Sequence, residues 1–154
     1  MIDCAFAAAG IGLIHAIRST FAAEVAGCQV EIGIAGAMAA ASVCEAAGCS
    51  PKIGLDAAAI SLQNTMGSVC DLVAGVCEIP CHTRNAISAS NAFICCDLIM
   101  GGFMNPISLD DSIDASDASG KMLPAELRCT AMGGVAVTPS AKKIIKDKGN
   151  LGDE

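Results

Sequence analysis

The stretch MGSVCDLVAGVCEIPCHTRN (residues 66–85) places Cys70, Cys77 and Cys81 within a dozen positions. Thiols this close point to a metal or a redox couple, because the thiolate is both a metal ligand and a nucleophile. Cys77 and Cys81 stand at i,i+4 and could pair on a helix, and Cys44 and Cys49 straddle an expected helix end. Neither pair has the knuckle spacing of tetrahedral zinc, there is no C-x-x-C, and no histidine pair stands nearby. Iron–sulfur clusters are the other thiolate chemistry, and some use three cysteines so that one iron stays free for substrate. Spacing alone does not select three cysteines out of ten. Each cysteine by itself reads first as a small buried hydrophobe. His15, on an apolar helix, reads as a satisfied core residue, and His82 as a solvent-edge or helix-start residue. Neither is assigned as a catalytic base.

These cysteines have to be positioned by helices. The chain has 154 residues, 53% of them hydrophobic, with no Trp, no Tyr and four Phe. An apolar content made of Ala, Ile, Val, Leu and Met predicts closely nested helices and no sheet built on aromatics. The expected fold is all-α, one domain over residues 1–154: a compact bundle of apolar, alanine-rich helices with cysteine-bearing loops. Helices are predicted over 5–18, over 32–47 with Gly48 just past the end, and from Ser50-Pro51 to about Met66. Residues 67–80, punctuated by Gly67, Gly75 and Pro80, read as a loop with a short helical piece. Further helices are predicted from Arg84 to about Met100, from a capping box at Ser108–Asp111, from Pro124, and from Thr138-Pro139. The cysteines at 28 and at 70–81 then fall in loops between helices, where sites tend to sit.

Charge and hydropathy remove several classes of function. A net charge of −7 argues against nucleic-acid or anionic-membrane surfaces. The uncharged runs 32–44 and 57–70 fall short of the ~18–20 apolar residues that span a bilayer. Asp3 stands where a signal peptide would carry positive charge, so a cytoplasmic location is expected.

Three segments carry a family resemblance: AGCQVEIGIAGAMAAA (26–41), AAAISLQNTMGSVCDLVAGVCEIPCHTRNA (57–86) and LPAELRCTAMGGVAVTPSAK (123–142). They resemble the α chain or α domain of the iron–sulfur-dependent L-serine dehydratases (L-serine ammonia-lyases), in its C-terminal, cluster-binding part. The resemblance implies a [4Fe-4S] cluster on Cys28, Cys70 and Cys81, with Cys77 left as core or loop packing. It implies deamination of L-serine to pyruvate and ammonia without pyridoxal phosphate. It also implies an oligomer completed by the remainder of the α unit and a β chain or domain, and hence a chain inactive by itself. Gln29, Glu31, Asp71, Arg84 and Asn85, beside the implied ligands, are candidates for orienting them. Asn85 could equally be an N-cap, and the glycine pair in GGVAV is a weak phosphate signal. Leu72 departs from the family's usual proline, one extra residue precedes Cys28, and no cysteine follows Cys129. The residues also leave open a non-catalytic metal- or thiol-binding module, zinc included, and a purely structural helical subunit. A cysteine desulfidase of similar scaffold is the nearest enzymatic rival.

Overall fold

The computed structural model describes residues 1–149. They form seven α-helices: α1 (Ile2–Arg18), α2 (Ala23–Ala26), α3 (Ile32–Ala46), α4 (Pro51–Gln63), α5 (Cys81–Met100), α6 (Leu109–Lys121) and α7 (Pro139–Gly149). No strand forms among the described residues; one isolated bridge joins Cys70 to Arg128. The all-α expectation therefore holds. Three helix starts or ends differ from it by three residues. α1 begins three residues before position 5, α5 begins at Cys81 instead of Arg84, and α4 stops at Gln63, giving way to turns up to Gly67. Pro124 opens only a 3-10 turn, Ala125–Leu127. The 67–80 loop holds the expected short helical piece as a 3-10 turn, Val73–Gly75.

Local signals explain the ends that were legible. Gly48 has φ +74 just past α3, the left-handed conformation that glycine adopts without a Cβ penalty. Pro51 supplies the preset φ of a first helical residue. Ser108 caps α6: its Oγ accepts from the Asp111 amide at 3.1 Å and donates to the Asp111 carboxylate at 2.8 Å.

α3 lies at the centre, with α1, α4 and α5 packed around it and α6 against α4 and α1. Its Ile34, Ala37 and Ala41 meet Ala58, Ala59 and Leu62 of α4, Ile113 of α6 and Ile11 of α1 in one core cluster. Small residues make this nesting possible. A Cβ on Gly36 would run into the Ser88 hydroxyl of α5, which donates to the Ile32 carbonyl at 3.1 Å. A Cβ on Gly120 of α6 would strike the Ala26 backbone, so α6 touches α2 main chain to main chain. No helix among the described residues is long and apolar enough to cross a membrane.

Charge ties α1 to α6. Arg18, at the end of α1, donates to Asp114 at 3.0 Å and to Asp110 at 3.1 Å on α6. The hydrogen bond from Arg18 holds the Asp114 carboxyl below its ordinary range.

Two outcomes follow for stability. Gly120→Ala overpacks the α2–α6 contact and lowers the unfolding free energy by about 1–3 kcal/mol. Gly10→Ala, in open space on α1, raises it by about 0.5–1 kcal/mol; urea midpoints measure both. Asp114 is depressed in the folded state, so its contribution is full above the unfolded carboxylate value of about 4 and fades as pH falls through the folded value. Asp114→Asn therefore flattens the acid limb of stability against pH, and leaves an unchanged limb only if the pair contributes nothing.

Candidate functional site

Three chain segments converge beside α3. Cys28 sits in a 3-10 turn, Cys28–Val30, between α2 and α3. Gly27 precedes it at φ +75, where a Cβ would meet the Ser68 carbonyl oxygen at 2.7 Å. Only glycine lets the two loops approach this closely. Gln29 then pins them together. Fully buried, it donates from Nε2 to the Ala26 carbonyl and accepts at Oε1 from the Gly67 amide, both at 3.0 Å.

Cys70 lies at the other side of that contact. Its amide donates to the Leu127 carbonyl at 2.8 Å, and its carbonyl accepts from the Cys129 amide at 2.9 Å. Cys81 is the first residue of α5, and Asn85 donates from Nδ2 to its carbonyl at 2.9 Å. With the helix starting three residues early, Asn85 lies inside its first turns, so the N-cap alternative does not apply. The placement puts the Cys81 thiol at a helix N-terminus, where the dipole favours negative charge.

Cys28, Cys70 and Cys81 are all buried in one apolar cluster with Ala23, Ile32 and Leu72; Cys129 and Ala131 pack against it. Burial pushes the Cys28 thiol up from its ordinary value, opposed by interaction with Cys70 and by the Arg84 charge. Burial likewise raises Cys70, reinforced by Cys129 and Cys28. Cys81 is pushed up to about 11, chiefly by burial, then by Cys28 and Cys77. Thiols in this setting stay protonated near neutral pH, and an added cation is what would draw out their thiolates.

Asp71 and Arg84 brace the group. Asp71, 2% exposed, receives Arg84 Nη1 at 2.6 Å on one oxygen and the Val135 amide at 2.7 Å on the other. Arg84 also donates to the Val69 carbonyl at 2.8 Å. Burial works against the Arg84 charge, but the Asp71 carboxylate outweighs it and raises the guanidinium above its ordinary value. A Cβ on Gly134, at φ +59, would overlap Asp71. Of the GGVAV glycines, Gly134 thus makes room for this carboxylate, while Gly133 lies against the Glu126 backbone.

A cleft of about 410 Å³ opens onto Cys70 and Cys81; Glu24, Glu31, His82, Asn85 and Cys129 also line it. Cys28 faces a smaller depression of about 170 Å³ beside Arg84 and Ser88. Of the two expected places for Cys77, core or loop, the structure shows the loop: the residue is exposed and lines the cleft. His15 is buried as expected but only half satisfied: its Nε2 bonds the Thr20 carbonyl at 2.8 Å and its Nδ1 has no partner.

Two features were missed in the sequence. Cys129 reaches the site through a left-handed residue conformation, φ +64, which costs a non-glycine residue about 1 kcal/mol. Only the pairing with Cys70 reveals it. Separately, Cys44, Cys49 and Cys96 bring their sulfurs all within 4.8 Å of one another, the one such group of three ligand atoms among the described residues. The Cys44/Cys49 pair was visible in the sequence; Cys96, on α5, was not. Cys28, Cys70 and Cys81 do not form such a group, although Cys28 and Cys70 interact directly.

A family model described as the serine dehydratase alpha chain matches residues 1–136. Proteins named "Probable L-serine dehydratase, alpha chain" are similar to the chain: that of Bacillus subtilis (strain 168) is 42% identical over 95% of the chain and 49% of its own length. That of Latilactobacillus sakei is 40% identical over 88% of the chain and 65% of its own length. The "L-serine dehydratase, alpha chain" of Peptoniphilus asaccharolyticus is 39% identical over 94% of the chain and 49% of its own length. The chain thus spans about half to two-thirds of the length of these relatives.

Removing the brace should be costly. Asp71→Ala strands Arg84 and the Val135 amide and lowers stability by about 2–3 kcal/mol, less than in a fully buried pair because Arg84 reaches solvent. Asp71→Asn keeps an acceptor for the amide and loses less. Equal urea midpoints for wild type and Asp71→Ala would show that the brace is not structural.

Proposed function

The chain belongs to the serine dehydratase α-chain family, and from that premise we propose that it is the cluster-bearing part of an iron–sulfur-dependent L-serine dehydratase. The observation that carries this reading is the convergence of Cys28, Cys70 and Cys81, from three separate segments, in one buried cluster beside a largely apolar cleft that carries a few polar side chains. The donor set suits a [4Fe-4S] group: three thiols from three segments, desolvated together, with a guanidinium close by to offset thiolate charge.

Bound there, the cluster would supply Lewis acidity at an iron without a protein thiolate, polarising the serine hydroxyl that departs as water. The protein's own residues do the rest. Cys28, Cys70 and Cys81 would hold the group, with Cys70 and Cys81 on the cleft side. Gln29 fixes the separation of the Cys28 and Cys70 loops. Asp71 and Arg84 lock the Cys70 loop to α5, and Asn85 holds the Cys81 carbonyl. Glu24, Glu31, His82 and Asn85 give the cleft the polar groups that an amino acid's ammonium and carboxylate need. Ala23, Ile32 and Leu72 keep water from the thiolates. The remainder of the α unit and a β chain or domain would complete substrate binding, as an oligomer in the cytoplasm. Side chains left exposed on α5, among them Ile87, Phe93, Ile94 and Leu98, offer apolar surface for such assembly.

Anaerobic reconstitution with iron and sulfide tests the reading. Wild type and Cys77→Ser are expected to take up iron and acid-labile sulfide in equal amounts, with visible charge-transfer absorption. Cys28→Ser, Cys70→Ser and Cys81→Ser each lose most of it. Uptake that survives all three changes, or that fails only in Cys77→Ser, overturns the assignment. L-Serine is expected to yield pyruvate only when the remainder of the α unit and a β chain or domain are added; pyruvate from the loaded chain alone would overturn its dependence on them.

A further inference from the structure

We propose that Cys44, Cys49 and Cys96 form a second metal site, separate from the one above, that takes a single soft cation of the Cu(I) class. The three residues come from different elements: Cys44 from the last turns of α3, Cys49 from the turn into α4, and Cys96 from the last turns of α5. Cys44 and Cys96 are buried and Cys49 is half-buried. Their sulfurs all lie within 4.8 Å of one another, close enough for one ion to bond all three after a small inward movement. Their surroundings are Ala40, Ala57, Ile60 and Ile99, a different apolar cluster from that of Cys28, Cys70 and Cys81.

The turn geometry explains why Cys49 points back at Cys44. Gly48 at φ +74 reverses the chain after α3, and the Cys49 amide donates to the Cys44 carbonyl at 3.0 Å. Cys49 also lies two residues before the start of α4, whose N-terminal dipole favours a thiolate. On α5, the Cys96 thiol contacts the Met100 thioether at 3.6 Å, one helical turn on.

Donor chemistry selects the ion. No histidine or carboxylate joins the three sulfurs among the described residues. Zinc prefers four donors drawn from thiolate, imidazole and carboxylate. Thiolate and thioether together suit Cu(I), which accepts three sulfurs without a fourth strong donor. Binding exchanges three S–H bonds for three S–Cu bonds, and the three protons leave to solvent; no electron is transferred. Without metal, burial and the neighbouring thiols keep Cys44 protonated. Cys49 lines a cleft of about 370 Å³ with Glu45 and Asp3, which gives the ion a way in.

The test is an anaerobic titration of the reduced full chain with Cu(I), in competition with a chromophoric Cu(I) chelator. Wild type should withdraw about one equivalent more than Cys49→Ser, and Cys96→Ser should lose the same equivalent, with binding there at least about tenfold weaker. Cys95→Ser, a buried neighbour outside the group, should match wild type. Cys49 is half-buried on a turn, so its serine variant keeps the test decisive even where a change at Cys44 or Cys96 unfolds the chain; circular dichroism checks this. In a Cys28→Ser/Cys70→Ser/Cys81→Ser background the equivalent should remain. Equal withdrawal by wild type and Cys49→Ser, an equal loss in Cys95→Ser, or displacement of the Cu(I) by excess Zn(II) would overturn the proposal.

Discussion

A single buried carboxylate holds the candidate site together. Asp71 follows one of the three converging cysteines and is closed off from water, yet both of its oxygens are used. One receives Arg84 from the first turns of α5, three residues after Cys81. The other receives the Val135 amide from the segment that also carries Cys129. Burying a carboxylate costs several kcal/mol unless it is paired and hydrogen-bonded, so this geometry is either complete or not formed. The loop carrying Cys70, the helix start carrying Cys81 and the 127–137 segment are therefore fixed by one charge. Gln29 performs the neutral counterpart of this task for the Cys28 loop.

Around that brace the rest of the fold follows from size. The chain has no large aromatic side chains to fill space beyond four Phe, so its helices must approach closely for their dispersion contacts to count. Gly36 and Gly120 sit where a methyl group would collide with a neighbouring element. Alanines on α3 and α4 fill the remaining interface. The same closeness gathers cysteines. A thiol is small enough to replace alanine in such an interface, so two groups of sulfurs arise at two different helix junctions, one beside α3's N-terminus and one beside its C-terminus.

How much of this was legible depends on the range of the interaction. Local signals worked: Gly48 after α3, Pro51 at the start of α4 and Ser108 before α6 each act through their own backbone. The start of α5 was misplaced because Pro80 and Cys81 carry no capping side chain, and that helix end is set by packing against the Cys70 loop. Pro124 was over-read: a proline permits a helix start without providing an apolar face to continue it. For the site, Asp71 and Arg84 stood out as candidates, but their pairing with each other and with Val135 is tertiary. Cys129 and Cys96 had no local pattern at all, since their roles come from segments 59 and 47 or more residues away in the chain, Cys70 and Cys49 respectively. Cys77 stays near Cys81 at the cleft, but on an exposed loop position outside the buried cluster of Cys28, Cys70 and Cys81.

Where the iron sits is the most direct question to put to this account. Crystals of the anaerobically reconstituted chain, measured on either side of the iron absorption edge, would locate it without reference to activity. A single multi-iron peak bounded by the sulfurs of Cys28, Cys70 and Cys81 is the predicted result. Iron density at Cys44, Cys49 and Cys96 instead, or no iron density between Cys28, Cys70 and Cys81, would contradict it.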